Sequence, residues 1–184
     1  GTAEVDELFG LGGNDTVYGY GGNDAFWSGR GNDVYYGGEG RDRADYRYDP
    51  GAILADLRLG TVRDGYGNTD QLIGVERVVG SRYNDTIYGG ADDNSLTGEL
   101  GDDLINGRDG FDFVWYGRSA GAVQVNLATG VVTGGEGNDT LISIEGLGGS
   151  NFADRLIGNA ADNYFIGDQF GDIFVEGKEA YVFL

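Results

Sequence analysis

The sequence predicts an all-β parallel solenoid, a β-helix in which two nine-residue units make one coil. Three observations carry that reading: Asp recurs at the sixth position of each unit, an apolar residue recurs at the eighth, and the glycines hold a fixed phase. Residues 10–45 read GLGGNDTVY, GYGGNDAFW, SGRGNDVYY and GGEGRDRAD, and a looser unit, GTAEVDELF, precedes them. Six residues of turn and three of strand reverse the chain every nine residues. Odd and even units then form two short parallel sheets around a thin core.

The first block, 1–45, places Asp6, Asp15, Asp24, Asp33 and Asp42 at position six and points Leu8, Val17, Phe26, Tyr35 and Ala44 inward. Residues 46–79 break the period. Ile53, Ala55, Leu57 and Leu59 alternate there, which predicts a strand with one buried face after a turn at Pro50. Residues 80–115 resume it with Asp85, Asn94, Asp103 and Asp112 at position six and Ile87, Leu96, Ile105 and Val114 at position eight. Residues 116–148 then repeat the first interruption: GAVQVNLATG at 121–130 matches GAILADLRLG at 51–60, and DTLISIEGLGGS at 139–150 matches DQLIGVERVVGS at 70–81. GGEGNDTLI at 134–142 is itself a full unit, so both interruptions read as longer, irregular coils of one continuous solenoid. Its Asp139 lacks an Asp eighteen residues away, which leaves it without a stacking partner in this reading. Residues 149–184 supply three more units and a last one, EGKEAYVFL, that keeps an apolar Phe183 but loses the Asp. That last unit reads as a cap, or as the place where a longer chain was cut; the opening inside a repeat likewise reads as a piece of something longer.

Of 184 residues 37 are glycine, yet 40% are hydrophobic and 12% aromatic, which argues against disorder and for turns at fixed phase. The net charge of −19 argues against nucleic acid or an anionic membrane as partner. No apolar run is long enough to span a bilayer, and no leader peptide is legible at Gly1. Cysteine and histidine are both absent, which removes disulfides, thiol chemistry, the preferred zinc ligands and the commonest general base. No serine-centred triad is legible, so catalysis is not expected within these residues.

Aspartates two units apart stack one strand spacing apart, about 4.8 Å: Asp6 on Asp24, Asp15 on Asp33, Asp24 on Asp42, Asp85 on Asp103, Asn94 on Asp112 and Asp154 on Asp172. Two carboxylates that close repel by about 1 kcal/mol in water and several times more near a protein surface. A calcium ion, with oxygens at about 2.3–2.6 Å, fits between them, and glycine turns add carbonyl oxygens without Cβ obstruction. Magnesium demands shorter bonds and a stricter octahedron. Several calcium ions are therefore expected, and a chain largely unfolded without them.

GYGGND (19–24), SGRGND (28–33), GGEGRD (37–42) and GGEGND (134–139) resemble the GGxGxD motif of the repeats-in-toxin (RTX) family. The resemblance implies a parallel β-roll with ions between coils, held by positions two, four and six of one unit and one, three and six of the unit two further on. Carried over, Tyr20, Gly22 and Asp24 face Gly37, Glu39 and Asp42, while Leu11, Gly13 and Asp15 face Ser28, Arg30 and Asp33. Thr2, Glu4 and Asp6 face Gly19, Gly21 and Asp24; Gly90, Asp92 and Asn94 face Gly107, Asp109 and Asp112. Gly98, Leu100 and Asp103 face Asp85, and Asp172 faces Asp154. Thr2 and Glu4 replace turn glycines, Tyr83 and Phe152 stand where the fourth-position glycine belongs, and Asn94 and Asn163 replace the aspartate. The resemblance further implies a module of a secreted or cell-surface bacterial protein, exported by a type I pathway and folded by calcium outside the cell. Its alternatives are a structural or adhesive module that self-associates or binds a cell surface or polysaccharide, for which outward aromatics such as Tyr18, Trp27, Tyr36, Tyr88 and Trp115 are the candidates, and the non-catalytic part of an extracellular enzyme such as a protease, lipase or alginate epimerase.

Overall fold

Position eight decides the fold. In the computed structural model, which describes residues 1–167, 171–175 and 179–183, the position-eight side chains Phe26, Ile87, Leu96, Ile105, Val114, Leu156 and Phe165 are all 0% exposed. They form one continuous core with Tyr35, Ala44, Val78 and Leu147, against which Leu8, Val17 and Phe174 pack. The side chain of Phe183 lies outside the described residues.

The first block gives β1 (Glu7–Phe9), β2 (Thr16–Gly21), β3 (Ala25–Trp27), β4 (Val34–Glu39) and β5 (Arg43–Asp45). The first interruption gives β6 (Leu54–Asp56), β7 (Thr61–Arg63), β8 (Thr69–Ile73) and β9 (Arg77–Val79). The second block gives β10 (Thr86–Tyr88), β11 (Ser95–Thr97), β12 (Leu104–Asn106) and β13 (Phe113–Trp115). The second interruption gives β14 (Val123–Asn126), β15 (Val131–Gly134), β16 (Thr140–Ile142) and β17 (Gly146–Gly148). The last block gives β18 (Arg155–Ile157), β19 (Asp162–Ile166), β20 (Ile173–Val175) and β21 (Glu179–Phe183).

Nine strands, in the order β1-β3-β5-β9-β11-β13-β17-β19-β21, make one sheet, and all its pairs are parallel. In the uninterrupted coils the register is one full coil: Phe26 pairs with Leu8 and Ala44, and Leu96 with Val114. The second sheet has twelve strands, β2-β4-β8-β7-β6-β10-β12-β16-β15-β14-β18-β20. The fold is thus an all-β roll of two largely parallel sheets.

The irregular coils expected of both interruptions have a definite form. Each folds as a three-stranded antiparallel meander inside the twelve-stranded sheet: β7 pairs antiparallel with β6 and β8, and β15 with β14 and β16. The cause is a tight reversal at Gly60 and at Gly130, both with positive φ, which turns the chain back within the sheet it has just entered. Ile53 and Ala55 are buried as the alternation predicts and Leu57 is half-buried, but Leu59 sits in the reversal and is 73% exposed. Among the described residues no helix is long and apolar enough to cross a membrane.

Candidate calcium ladder

The six pairs of position-six residues that spacing stacks are each joined by a hydrogen bond. The backbone N–H of the earlier residue donates to Oδ1 of the later one: Asp6 to Asp24 at 2.8 Å, Asp15 to Asp33 at 2.9 Å, Asp24 to Asp42 at 2.7 Å, Asp85 to Asp103 at 2.7 Å, Asn94 to Asp112 at 2.8 Å and Asp154 to Asp172 at 2.8 Å. Position five, to which the repeat reading assigns no role, runs a second ladder in the opposite direction. Asn32 N–H donates to Asn14 Oδ1, Arg41 N–H to Asn23 Oδ1 and Phe111 N–H to Asp93 Oδ1. The recurrent Asn before the Asp was the available signal.

The rungs continue through the interruptions, on residues farther away than one eighteen-residue coil. Asp33 N–H donates to Asp70 Oδ1, and Asp103 N–H to Asp139 Oδ1 across 36 residues. Asp139 therefore does stack on a position-six aspartate, because the chain between them folds aside as a meander. Asp42 and Asp112 donate in the same way to Glu76 and Glu145.

What distinguishes the rungs is the second carboxylate oxygen. In five units the N–H of position two donates to the position-six side chain of its own turn: Thr2 to Asp6, Ser81 to Asp85, Gly90 to Asn94, Ser150 to Asp154 and Asn159 to Asn163. Three others are held by buried tyrosine hydroxyls, Tyr35 on Asp33, Tyr46 on Asp70 and Tyr116 on Asp139. In four others, Asp24, Asp42, Asp103 and Asp112, Oδ2 is buried and has no hydrogen-bond partner.

Backbone conformation sorts the two groups. Position two is left-handed in each of these four turns, at Tyr20 (φ 78°), Gly38 (108°), Glu99 (70°) and Arg108 (73°), and the fourth position is left-handed too, at Gly22, Gly40, Gly101 and Gly110. None of the five capped turns has a positive φ at position two. A left-handed residue there turns its N–H away from the carboxylate and leaves that oxygen free for another partner. Leu11 and Gly13 give the turn before Asp15 the same shape. For a non-glycine residue the conformation costs about 1–2 kcal/mol, so Leu11, Tyr20, Glu99 and Arg108 store strain along this edge.

Backbone oxygens converge on the same places. A Cβ built on Gly19 would lie 2.3 Å from Asp24 Oδ2 and 2.4 Å from the carbonyl oxygen of Gly37, so those two oxygens face a hollow that only glycine leaves open. Burial, with Asp139 and Asp85 close by, pushes the Asp103 carboxyl up to about 8; burial and Glu145 push Asp112 up to about 6. A buried carboxylate oxygen without a donor, beside a second carboxylate and a carbonyl, is a hard oxygen site for a cation. The donor set is all oxygen, with no histidine or cysteine in the chain, which fits calcium over zinc.

Of the other predicted site residues, Asp92 and Leu100 are exposed, and Asp109 pairs its side chain with Arg58 at 2.9 Å. Gly90, Gly98 and Gly107 occupy turn positions one or two beside their own position-six side chains.

The family model of the RTX calcium-binding nonapeptide repeat, four copies long, matches residues 1–35, 9–44, 79–114, 131–143 and 148–174. The chain belongs to that family. No curated protein matches it as a relative. The RTX repeats coincide with the regular coils, and the matched segments stop at the interruptions except for 131–143, which contains the Asp139 rung.

Proposed function

We propose that the chain is a calcium-folded β-roll module of a secreted bacterial protein, non-catalytic within these residues, whose stability is supplied by ions between stacked turns. The observation that carries this is the set of four buried, donorless Oδ2 atoms on left-handed turns. The best-supported site takes Asp24 with the carbonyls of Tyr20 and Gly22 on one coil, and Asp42 with the carbonyls of Gly37 and Glu39 on the next. Leu11, Gly13 and Asp15 with Ser28, Arg30 and Asp33 form a second, on an edge where Leu11, Gly13 and Arg30 are exposed. Bound calcium supplies the positive charge that lets these carboxylates stack. The turn residues orient the carbonyls, and the apolar core excludes water from beneath them.

Such a module is unfolded where free calcium is scarce and folds where it is plentiful, which couples folding to export. Extracellular calcium modules bind at about 10⁻⁴–10⁻³ M. A calcium titration followed by far-ultraviolet circular dichroism should show a cooperative folding transition in that range. A midpoint in the low micromolar range or below would remove the link to export.

A second reading, an adhesive surface for an acidic polysaccharide, is favoured by one groove. It lies along the outer face of the nine-stranded sheet and its flanking turns, with a volume of about 410 Å³, and its lining includes Arg41, Arg77, Phe113, Trp115 and Tyr164, with one carboxylate, Asp93. Arg77 has no ion-pair partner among the described residues, and burial together with Arg43 and Arg41 lowers its pKa. Phe113 and Trp115 lie flat on Gly146 and Gly148, where a Cβ would come 2.1 and 2.2 Å from the rings. Cations beside aromatic faces suit a carboxylate-bearing sugar. In calcium-containing affinity gels, polygalacturonate should retard the chain and Arg77→Gln with Arg41→Ser should abolish the retardation; equal mobility with and without the polymer would overturn it.

A further inference from the structure

We propose that each meander is sealed to the regular coil beside it by a calcium ion held between an aspartate and a glutamate: Asp42 with Glu76, and Asp112 with Glu145. This rests on the reading that calcium occupies the ladder, and extends it to residues outside the matched repeat segments.

Where the chain returns from each meander it makes a three-residue turn, Gly74-Val75-Glu76 or Ser143-Ile144-Glu145, in place of the six-residue turn of a regular unit. Both begin on a left-handed residue, Gly74 (φ 63°) and Ser143 (φ 50°). Both carry Glu where the longer turn carries Asp, and the extra methylene brings the carboxylate to the same place despite the shorter backbone. Glu76 Oε2 accepts the Asp42 N–H at 3.0 Å and Glu145 Oε2 accepts the Asp112 N–H at 3.0 Å, as Asp42 Oδ1 accepts from Asp24.

The oxygens facing these rungs are those of a regular site. A Cβ on Gly37 would lie 1.8 Å from the Gly74 carbonyl oxygen and 2.4 Å from Asp42 Oδ2. One on Gly107 would lie 2.3 Å from both the Ser143 carbonyl oxygen and Asp112 Oδ2. The same pair of oxygens flanks Gly19 between two ordinary coils. Asp42 and Asp112 are 0% exposed, and their Oδ2 atoms are two of the four buried aspartate oxygens without a donor among the described residues. No ion pair among the described residues reaches Asp42, Glu76, Asp112 or Glu145. Carboxylates held this close without a cation repel; with a divalent oxygen-seeking ion they become a site. The ions would sit where the twelve-stranded sheet changes from parallel to antiparallel pairing, pinning the end of each insert.

Calorimetric titration of the full chain with calcium tests this through the number of ions bound. Glu76→Gln and Glu145→Gln should each bind one ion fewer than the native chain, and the double variant two fewer, because the glutamine oxygen still accepts the backbone N–H but loses the charge. An unchanged ion count in both variants overturns the inference. Absence of any calcium binding by the native chain would instead overturn the proposed function. Should a variant fail to fold, crystals of the native chain grown in calcium give the answer by anomalous scattering. Peaks are expected between Asp42 and Glu76 and between Asp112 and Glu145; a peak between Asp24 and Asp42 with none at the two junctions overturns it.

Discussion

Calcium-free chain at pH 8 should lose most of its β-sheet circular dichroism, and restoring calcium should recover it. The strands outside β2, β4, β8, β14, β15, β19 and β21 are three residues long, and the core is one side chain wide, so burial offsets little beyond the entropy of ordering. Against it stand stacked carboxylates one strand apart, four of them with a buried Oδ2 that has no donor, and non-glycine residues held in left-handed turns. The expected pH dependence has a definite sign. Asp103, Asp70 and Asp112 are raised to about 8, 7 and 6, chiefly by burial. A raised folded-state value contributes stability that is present at low pH and lost as pH rises through it. The calcium-free chain should therefore regain β signal when acidified from pH 8 to pH 4–5, whereas calcium affinity should fall over the same range as protons compete. A full β signal at pH 8 after exhaustive calcium removal would show that packing alone holds the roll.

Gly19→Ala should remove at least one ion from the stoichiometry and cost about 1–3 kcal/mol, the scale of overpacking a core. Gly19 has no left-handed φ to protect, so space alone excludes the methyl group: it would meet Asp24 Oδ2 at 2.3 Å and the Gly37 carbonyl oxygen at 2.4 Å, and the carbonyl belongs to the backbone of the next coil. Gly12→Ala supplies the control. Its Cβ would come no nearer than 3.7 Å to Arg30, ordinary contact, so its stability should stay within about 0.5 kcal/mol of native with the ion count unchanged. Equal behaviour of the two variants in thermal melts and calcium titration would show that the hollow beside Gly19 holds nothing.

How much of this was legible depends on whether a feature repeats. The Asp6–Asp24–Asp42 and Asp85–Asp103 stacks follow from a period of nine and a coil of eighteen, and the structure joins those residues. The tyrosines that take the free oxygens of Asp70 and Asp139 were not legible, since Tyr46 and Tyr116 lie 24 and 23 residues from them. Serine or threonine at position two, in Thr2, Ser81 and Ser150, marks a turn that caps its own aspartate, and each is followed by a non-glycine residue at position four, Glu4, Tyr83 and Phe152. Those replacements were visible as departures from the motif; their hydrogen-bonding consequence was not.

The sequence by itself determined the coil length, the inward face, the stacked aspartates and the family, because each is a local rule repeated until chance is excluded. Tertiary structure alone decided which carboxylates are free, how the interruptions reverse inside one sheet, and that Glu76 and Glu145 take rung positions. Those outcomes depend on where one turn's N–H points and on which distant strand lies beside it. The first lies within one unit but has no residue pattern that fixes it, and the second lies in no nine-residue window.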